Sequence, residues 1–251
     1  MKKRFYIFFM IVLVAVFVTS IIYIIMNYTE DKKQNAVFEE LENIVTEEQE
    51  DKNKEQKDES INLMELYEIN NDFIGWLKIN NTNISYPVMQ TDSNRKDYYL
   101  RKNFYKEYSQ LGTPYIAEYC NVQTSDNVII YGHHITNYQV FGELEKYKKK
   151  EFYDNHKIIN FNTIYENADY EIIAVFKTVA YTGFKYYEFI NSSSEDEFNT
   201  FIKRCKELSF YDTGKTAKYG DKLLTLSTCE YSAKNGRLVV VARKITSELE
   251  E

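Results

Sequence analysis

The chain has 251 residues, of which 44% are hydrophobic, so it can bury one substantial core and a single globular domain is the default expectation. Its formal net charge of −7 argues against nucleic acid as a partner, because a phosphate-binding surface needs an excess of Lys and Arg. Two prolines and 23 tyrosines indicate an ordered, strand-rich domain and identify no function.

An apolar run begins at Phe5 and ends at Met26, and its length of about 22 residues suffices to cross a hydrocarbon layer about 30 Å thick. Basic residues at positions 2–4 precede it, so the positive-inside rule predicts a cytoplasmic stub of residues 1–4 and an extracellular location for everything after the run. A cleaved signal peptide is the alternative, but its apolar core is typically ~7–15 residues and no convincing cleavage site follows Met26. We therefore predict an uncleaved, single-pass cell-membrane anchor over residues 5–26.

Residues 27–60 are predicted to form a charged extracellular linker, because charged side chains dominate them and little in them could be buried. An apolar set at helical spacing predicts a short amphipathic helix in the first half of this segment. The set is Val37, Phe38, Leu41, Ile44 and Val45. The remaining residues, 61–251, are predicted to fold as the single domain.

Short, mostly β-branched or aromatic runs dominate this domain, and few helical patterns lie between them. Many short strands favour a mainly β domain, either a closed barrel or a sandwich. A short helix is predicted over 61–69, where the apolar spacing is helical. The predicted strands are 73–79, 84–88, 113–117, 127–131, 157–162, 170–178, 222–228 and 237–245.

One longer helix interrupts the run of strands. Ser194 and Glu197 form a capping-box pattern, in which each side chain satisfies a free backbone N–H of the other residue. Apolar residues at helical spacing then predict about four turns between the strands 170–178 and 222–228. They are Phe198, Phe201, Ile202, Cys205 and Leu208.

Of the three cysteines, Cys229 is the one whose sequence neighbours indicate a chemical role. Alternate side chains of a strand share a face, so Thr225, Ser227 and Cys229 form a row of two hydroxyls and a thiol. A lone cysteine is more often a buried small hydrophobe. A cysteine in the core, however, would have apolar neighbours, and Cys229 shares its face with two hydroxyls. The thiol has a reference pKa near ~8.5 and therefore needs a nearby cation or base. Cys120 and Cys205 could bridge each other, but the apolar helix face that carries Cys205 favours burial instead.

Two of the three histidines, His133 and His134, follow the predicted strand 127–131. Gly132 precedes them and lets the backbone turn and expose the next side chain. Adjacent strand residues point to opposite faces, so only one of the two histidines can meet Cys229. A zinc site with these residues is a weak alternative, because zinc needs three or four protein ligands and no paired spacing supplies the rest.

Arg237 opens the last predicted strand and follows the turn signal Lys234-Asn235-Gly236. A hairpin with these ends would bring Arg237 close to the thiol of Cys229. A guanidinium there can hydrogen-bond a peptide carbonyl and the oxyanion that develops from it. The alternative is an ordinary solvent-facing arginine at a strand edge, and Arg243 is the weaker candidate because it lies at the far end of the strand.

The sequence Thr225-Leu-Ser-Thr-Cys229, with Arg237 eight residues on and Tyr131-Gly132-His133 upstream, resembles the sortases. Sortases are membrane-anchored cysteine transpeptidases that attach proteins to the cell wall of Gram-positive bacteria. The resemblance covers roughly residues 61 to 244, and the helix-bearing insertion is similar to class B. It implies a closed sortase-like β-barrel with short peripheral helices and one helix-bearing insertion, after the N-terminal transmembrane helix.

The resemblance also implies roles for individual residues. His133 is the histidine directly after Gly, so it is identified as catalytic beside Cys229 and Arg237. In this chemistry Cys229 attacks the carbonyl of a Thr in a C-terminal sorting signal, His133 protonates the leaving amine, and Arg237 holds the carbonyl oxygen. Ser227 and Glu230 match positions that line the substrate groove in class B sortases.

The implied partners are exported proteins with a sorting signal and an amine of peptidoglycan or its lipid-linked precursor. The chemistry requires no metal ion and no organic cofactor. Two other functions stay open at this point. One is a secreted cysteine peptidase, in which water resolves the thioester. The other is a non-enzymatic, membrane-tethered adhesion domain with an inert Cys229.

Overall fold

Eight strands close into a β-barrel in the computed structural model, which describes residues 2–50, 60–135 and 137–246. The strands are β1 (Phe73–Lys78), β2 (Ser85–Met89), β3 (Tyr115–Ile116), β4 (Asn127–Tyr131), β5 (Ile158–Thr163), β6 (Asp169–Val179), β7 (Leu223–Glu230) and β8 (Gly236–Lys244). Their order around the barrel is β1-β2-β3-β4-β7-β8-β6-β5. The predicted closed barrel is therefore confirmed.

Four α-helices and four short 3₁₀ helices surround the barrel in the part of the chain that the structure describes. The α-helices are α1 (Lys2–Glu50), α2 (Ser60–Ile69), α3 (Lys150–Asn155) and α4 (Glu195–Leu208). The 3₁₀ helices are Ser93–Arg95, Tyr98–Arg101, Gly142–Lys148 and Tyr186–Glu188. The segment Lys3–Val45 within α1 is long and apolar enough to cross a membrane.

Most neighbouring strands pair antiparallel, but β2 pairs parallel with β3, and β4 pairs parallel with β7. The β4–β7 register is continuous from Asn127↔Leu223 to Tyr131↔Ser227. On the other side of β7, the strand β8 pairs antiparallel. β7 is therefore a central strand with neighbours on both edges. Its almost entirely buried pattern, with Cys229 only partly buried near its end, follows from that position.

α4 begins as the sequence predicts, with one change in its cap. The Ser194 hydroxyl accepts a hydrogen bond from the backbone N–H of Glu197 at 3.2 Å. The return bond comes from the neighbouring residue, because the Glu197 carboxylate accepts the backbone N–H of Ser193 at 2.8 Å. The predicted apolar face packs inward, and Phe198, Phe201, Ile202 and Cys205 are buried.

α1 differs from the charged linker predicted for residues 27–60. The predicted amphipathic segment is helical, but it continues the apolar run without a break and packs on the barrel. Phe38 packs edge-on against the ring of Tyr86 with 4.9 Å between the ring centroids, and Leu41 is fully buried near Trp76. Even Gln34 is 2% exposed. The expectation that little of this segment is buried does not hold for residues 34–41.

The difference has a simple physical reason. The average composition of residues 27–60 is polar, but burial of a helix depends only on the one stripe that faces its neighbour. Here Val37 and Leu41 pack in a second apolar cluster beneath α1 and α2, and Phe38 packs against the main core cluster. Residues 51–59 of the predicted linker lie outside the described residues.

Replacing Leu41 by Ala tests this packing. The substitution leaves a cavity beneath α1, so we expect the free energy of unfolding to fall by about 3 kcal/mol. The measurement is a urea titration of the full chain in a mild detergent, followed by the fluorescence of Trp76, which lies in the same cluster. Glu39→Ala, on the exposed side of the same helix, is the matched control and should change little. Equal stabilities of the two variants would contradict the packing.

Candidate active site

The hairpin of β7 and β8 brings Cys229 and Arg237 together as directly opposite residues. The two strands meet at Glu230↔Gly236, and the turn between them closes with the Gly236 N–H donating to the Ala233 carbonyl at 3.0 Å. A Cβ at Gly236 would lie 2.2 Å from the Glu230 carbonyl oxygen, so only glycine fits there. The predicted hairpin is thus observed, with Arg237 directly opposite Cys229 in its register.

The histidines reach the same end of the sheet through β4. The register that pairs Tyr131 with Ser227 continues past the strand, where the Gly132 N–H donates to the Ser227 carbonyl at 3.2 Å. The Thr228 hydroxyl donates to the Gly132 carbonyl at 2.8 Å. Carried on to His133, the same register would set it opposite Cys229.

Gly132 has a different role from the predicted one. Its φ is not positive, so the position does not need the left-handed backbone that favours glycine. Instead, a Cβ there would lie 2.6 Å from atoms of the Phe141 ring. Glycine is required because Phe141, fully buried, covers the backbone at this point.

His133 and His134 have different partners, in agreement with strand alternation. His133 is partly exposed, and its Nε2–H donates to the Leu100 carbonyl at 2.8 Å, which leaves Nδ1 as the acceptor nitrogen. The Nδ1–H of His134 instead donates to the backbone carbonyl of Cys229 at 2.9 Å. The ring of His134 also packs edge-on against Tyr231, with centroids 5.0 Å apart. His134 therefore supports the backbone of the strand end.

The surroundings of His133 favour its neutral form. Burial lowers the pKa of the imidazole, the Leu100 carbonyl raises it, and the positive charge of Arg101 lowers it; the net direction is downward. A neutral imidazole with its acceptor nitrogen unused by Leu100 can accept a proton, which is what a general base requires.

A polar network that the sequence did not reveal holds the Leu100 carbonyl. Leu100 belongs to the 3₁₀ helix Tyr98–Arg101, and the Tyr99 hydroxyl donates to Asp72 at 2.9 Å. Arg95 binds both oxygens of Asp72, at 2.7 and 2.8 Å. Burial would raise the pKa of Asp72, but the hydrogen bonds from Arg95, Tyr99 and Lys106 outweigh it and lower that pKa. The group that orients His133 is therefore a backbone carbonyl on a firmly held turn.

Ser227 lies two residues before Cys229 on the same strand face and is buried. Its hydroxyl is hydrogen-bonded to the hydroxyl of Tyr186, which comes from the short helix ahead of α4. Burial raises the pKa of Tyr186 to about 12, so that hydroxyl stays protonated at neutral pH. The inserted segment thus contacts the strand that carries the thiol, through a residue that the sequence could not single out.

Glu230 lies next to Cys229, but its side chain points to the other strand face and is buried. Lys148 donates to one of its oxygens at 2.7 Å, and the backbone N–H of Ser232 donates to the other at 3.0 Å. Burial would raise the pKa of Glu230, but these hydrogen bonds outweigh it and lower the pKa to about 2. In this structure, the carboxylate therefore holds the turn of the hairpin.

The other two cysteines are inert by their surroundings. Cys120 and Cys205 are both free and buried, as predicted. Burial raises the pKa of Cys120 to about 11 and raises that of Cys205 as well, so both stay protonated. Within the described residues, no three His, Cys, Asp or Glu side chains cluster closely enough to hold a metal ion. Cys229 is thus the cysteine that stays partly exposed.

A partly exposed thiol with a histidine and an arginine at one barrel end is typical of an enzyme that transfers acyl groups through a thioester. Comparison with known proteins agrees, because the sortase domain model matches residues 77–245. The chain belongs to the sortase family, whose members are cell-surface cysteine transpeptidases acting on sorting-signal substrates and cell-wall amines.

Within the family, the chain is similar to class B enzymes. It is 31% identical to sortase B of Staphylococcus aureus over 246 residues, which are 97% of this chain and 98% of that protein. It is also 31% identical to sortase B of Listeria monocytogenes over 242 residues, 94% of this chain and 95% of that one. The solved Staphylococcus aureus sortase B–substrate complex matches with a TM-score of 0.78 and 28% identity, covering 87% of this chain and 99% of that one.

The Glu230–Lys148 pair gives a pH dependence with a definite sign. Folding lowers the pKa of Glu230 from its ordinary value of 4.5 to about 2, so its stabilising contribution is complete above pH 4.5 and is lost as the pH falls towards 2. We expect Glu230→Gln to be less stable than the wild type by about 3–4 kcal/mol at neutral pH, because the pKa falls by about 2.5 and each pKa unit corresponds to about 1.4 kcal/mol.

The difference should shrink steadily below about pH 4.5, as urea titrations at a series of pH values would reveal. Glu151→Gln, on an exposed position of α3, is the control and should follow the wild type throughout. A deficit of Glu230→Gln that stays constant down to the lowest pH would show that the carboxylate charge does not stabilise the hairpin.

Proposed function

We propose that this chain is a membrane-anchored, class B-like sortase that cleaves a C-terminal sorting signal after Thr and joins the protein to a cell-wall amine. The single observation that carries the site assignment is the direct pairing of Cys229 with Arg237 across the hairpin. A nucleophile and an oxyanion donor on paired strand positions keep a fixed separation, which is the preorganisation that acyl transfer needs.

In the first half of the proposed reaction, Nδ1 of His133 accepts the thiol proton of Cys229. The thiolate attacks the Thr carbonyl, the carbon–nitrogen bond of the scissile peptide breaks, and His133 returns its proton to the leaving amine. The product is a thioester between Cys229 and the substrate. The hydrogen bond from Nε2 of His133 to the Leu100 carbonyl supports this assignment, because it leaves Nδ1 available throughout.

In the second half, the acceptor amine attacks the thioester and loses a proton to His133. The tetrahedral intermediate collapses, the carbon–sulfur bond breaks, and a new amide forms. The thiolate of Cys229 then recovers its proton from His133, which restores the starting state. An amine of peptidoglycan or of its lipid-linked precursor is the proposed acceptor, and the chemistry calls on no metal ion or cofactor.

Arg237 is the proposed oxyanion donor. Its Nη1 donates to the carbonyl of its own neighbour Gly236 at 2.9 Å, which holds the guanidinium near the turn end of the hairpin. The guanidinium has five N–H donors, so further donors remain for the carbonyl oxygen of the substrate.

Ser227 and Glu230 are proposed as substrate contacts on the strength of the family resemblance. For Ser227, the face it shares with Cys229 and its hydrogen bond to Tyr186 support a place in the groove wall. For Glu230, a contact through the carboxylate requires the substrate to take over a bond now made by Lys148 or Ser232.

The proposed arrangement in the cell follows from the apolar helix. Residues 1–4 lie in the cytoplasm and residues 5–26 cross the membrane once. Residues 27–60 link this span to the extracellular catalytic domain, which comprises residues 61–251. The segment Lys3–Val45, long and apolar enough to cross a membrane, supports the anchor. Because residues 34–41 pack on the barrel, this part of the linker belongs to the folded domain.

Product analysis tests the proposed reaction. The chain in detergent is incubated with a Thr-containing sorting peptide, with and without triglycine as the acceptor amine, and the products are identified by mass spectrometry. We expect a product joined at the Thr carbonyl when the amine is present, and a thioester adduct on Cys229 when it is absent. A free acid as the sole product under both conditions would instead indicate a peptidase.

Three variants complete that experiment. Cys229→Ala should form neither adduct nor product, because the nucleophile is gone, and His133→Ala should lose nearly all activity. His134→Ala is the matched control and should retain much of it, since His134 contacts the backbone of Cys229 and not the thiol. An inactive His134→Ala beside an active His133→Ala would exchange the two roles.

Arg237→Lys separates geometric from purely electrostatic stabilisation. Lysine keeps the charge but loses the planar fork that donates two hydrogen bonds. If Arg237 holds the oxyanion by geometry, we expect the rate of adduct formation to fall by ~10²–10³-fold, the usual cost of one lost oxyanion donor. Near-wild-type turnover by Arg237→Lys, with Cys229 still alkylating readily, would contradict the geometric role of Arg237 as oxyanion donor. An equally active Arg237→Ala would remove Arg237 from the site.

A further inference from the structure

The segment 101–110 forms a hairpin that lies lengthwise along α1. Its strands are joined at the base by the Ser109 N–H, which donates to the Arg101 carbonyl at 3.1 Å. Its tip contacts α1 far from the apolar run, where the Tyr105 hydroxyl donates to Glu40 at 3.1 Å.

The base of the same hairpin contacts α1 immediately after the apolar run. Nε2 of Gln110 donates to Oδ1 of Asn27 at 2.9 Å, and Asn27 is the first residue after Met26. Between base and tip, Lys33 donates to Glu107 at 2.8 Å. The domain thus touches α1 from the first residue after the proposed membrane span onwards.

The position of each contact along α1 gives its height above the hydrocarbon layer. A helix rises about 1.5 Å per residue, so Asn27 and Lys33 lie about 2 and 10 Å beyond the end of the apolar run, and Glu40 about 20 Å beyond it. The headgroup layer on each side of the hydrocarbon is about 5–8 Å thick. The base of the hairpin therefore falls at headgroup height, and the tip lies well above it.

The side chains at headgroup height suit that environment. Tyr28 and Tyr108 are 59% and 60% exposed, and tyrosine is enriched at membrane–water interfaces. Nζ of Lys32 lies 4.9 Å from the ring centroid of Tyr28. Basic side chains of this kind favour contact with anionic lipid headgroups.

We propose that the base of the 101–110 hairpin, together with the first turns of α1 after Met26, rests on the lipid headgroups of the membrane. This inference rests on the proposed function only in taking residues 5–26 as the membrane anchor. The occupant of the surface is the bilayer itself, because the surface is continuous with the helix that enters it.

The surface also fixes the position of the active site. Nη1 of Arg101 donates to the Gln110 carbonyl at 2.9 Å, which joins the two strands at the membrane end of the hairpin. The preceding residue is Leu100, whose carbonyl binds His133. Since so few residues separate the headgroup contact from His133, the active site lies close to the membrane surface. A sorting signal or acceptor amine still attached to the membrane then reaches Cys229 without being extracted.

Fluorescence quenching in vesicles tests the proposal. Full-length Tyr108→Trp and Tyr105→Trp are reconstituted in vesicles of phosphatidylcholine and phosphatidylglycerol that carry a nitroxide on the headgroup. The chain has one native tryptophan, Trp76, which is buried and gives the same background in both variants. We expect the Tyr108→Trp variant to lose most of its added fluorescence and the Tyr105→Trp control, at the distal end of the same hairpin, to retain nearly all of it.

A third variant, Tyr23→Trp, reports on the anchor itself in vesicles with the nitroxide on the acyl chain. If Tyr23→Trp is quenched but Tyr108→Trp is quenched no more than Tyr105→Trp, the headgroup contact is overturned and the anchor stands. Equal, strong quenching of Tyr108→Trp and Tyr105→Trp overturns the height assignment. If Tyr23→Trp is not quenched, the anchor fails, and the inference fails with it.

Discussion

The parallel pairing of β4 with β7 is the constraint on which the site depends, because it joins residues that are far apart in the sequence. A slip of one residue in this register would turn every side chain to the other face and set His134 instead of His133 beside Cys229. Two hydroxyl hydrogen bonds fix this register. The Thr225 hydroxyl donates to Oδ1 of Asn127 at 2.8 Å, and the Thr228 hydroxyl donates to the Gly132 carbonyl at 2.8 Å. These buried polar contacts select one arrangement among near-equivalent apolar ones.

The proposed role of Arg237 requires that its guanidinium stay available to a substrate oxygen. Glu230 is paired across the hairpin with Gly236, one position from both Cys229 and Arg237. A free carboxylate there would attract the guanidinium and compete with any substrate oxygen. The side chain of Glu230 instead points to the opposite strand face, where Lys148 binds it at 2.7 Å and the acid stabilises the turn. The acidic neighbour of the thiol thus contributes to the geometry of the hairpin without neutralising its arginine.

The sequence alone was enough to predict features that depend on residues close together in the chain. Alternating apolar runs predicted the strands, and the turn signal before Arg237 predicted the hairpin. It was insufficient where a contact joins distant parts of the chain. A backbone carbonyl such as that of Leu100 leaves no signal in a sequence, and the reason for glycine at Gly132, the ring of Phe141, becomes visible only when both are placed in space. The burial of residues 34–41 was missed because composition averages over a segment, whereas packing acts on one face of a helix.

A continuous helix between the proposed membrane span and the domain has a mechanical consequence that a flexible linker would not have. A disordered chain of the same length would let the active site sample a wide range of heights, with an end-to-end distance that grows as the square root of its length. α1 is helical from Lys2 to Glu50 and buries Leu41 in the domain, so the domain and the proposed anchor move as one body. The remaining freedom is tilt of the whole helix and diffusion in the plane of the membrane. In the proposed arrangement, confinement to one height raises the frequency of encounters with a membrane-attached substrate, in the same way that a short linker raises effective concentration.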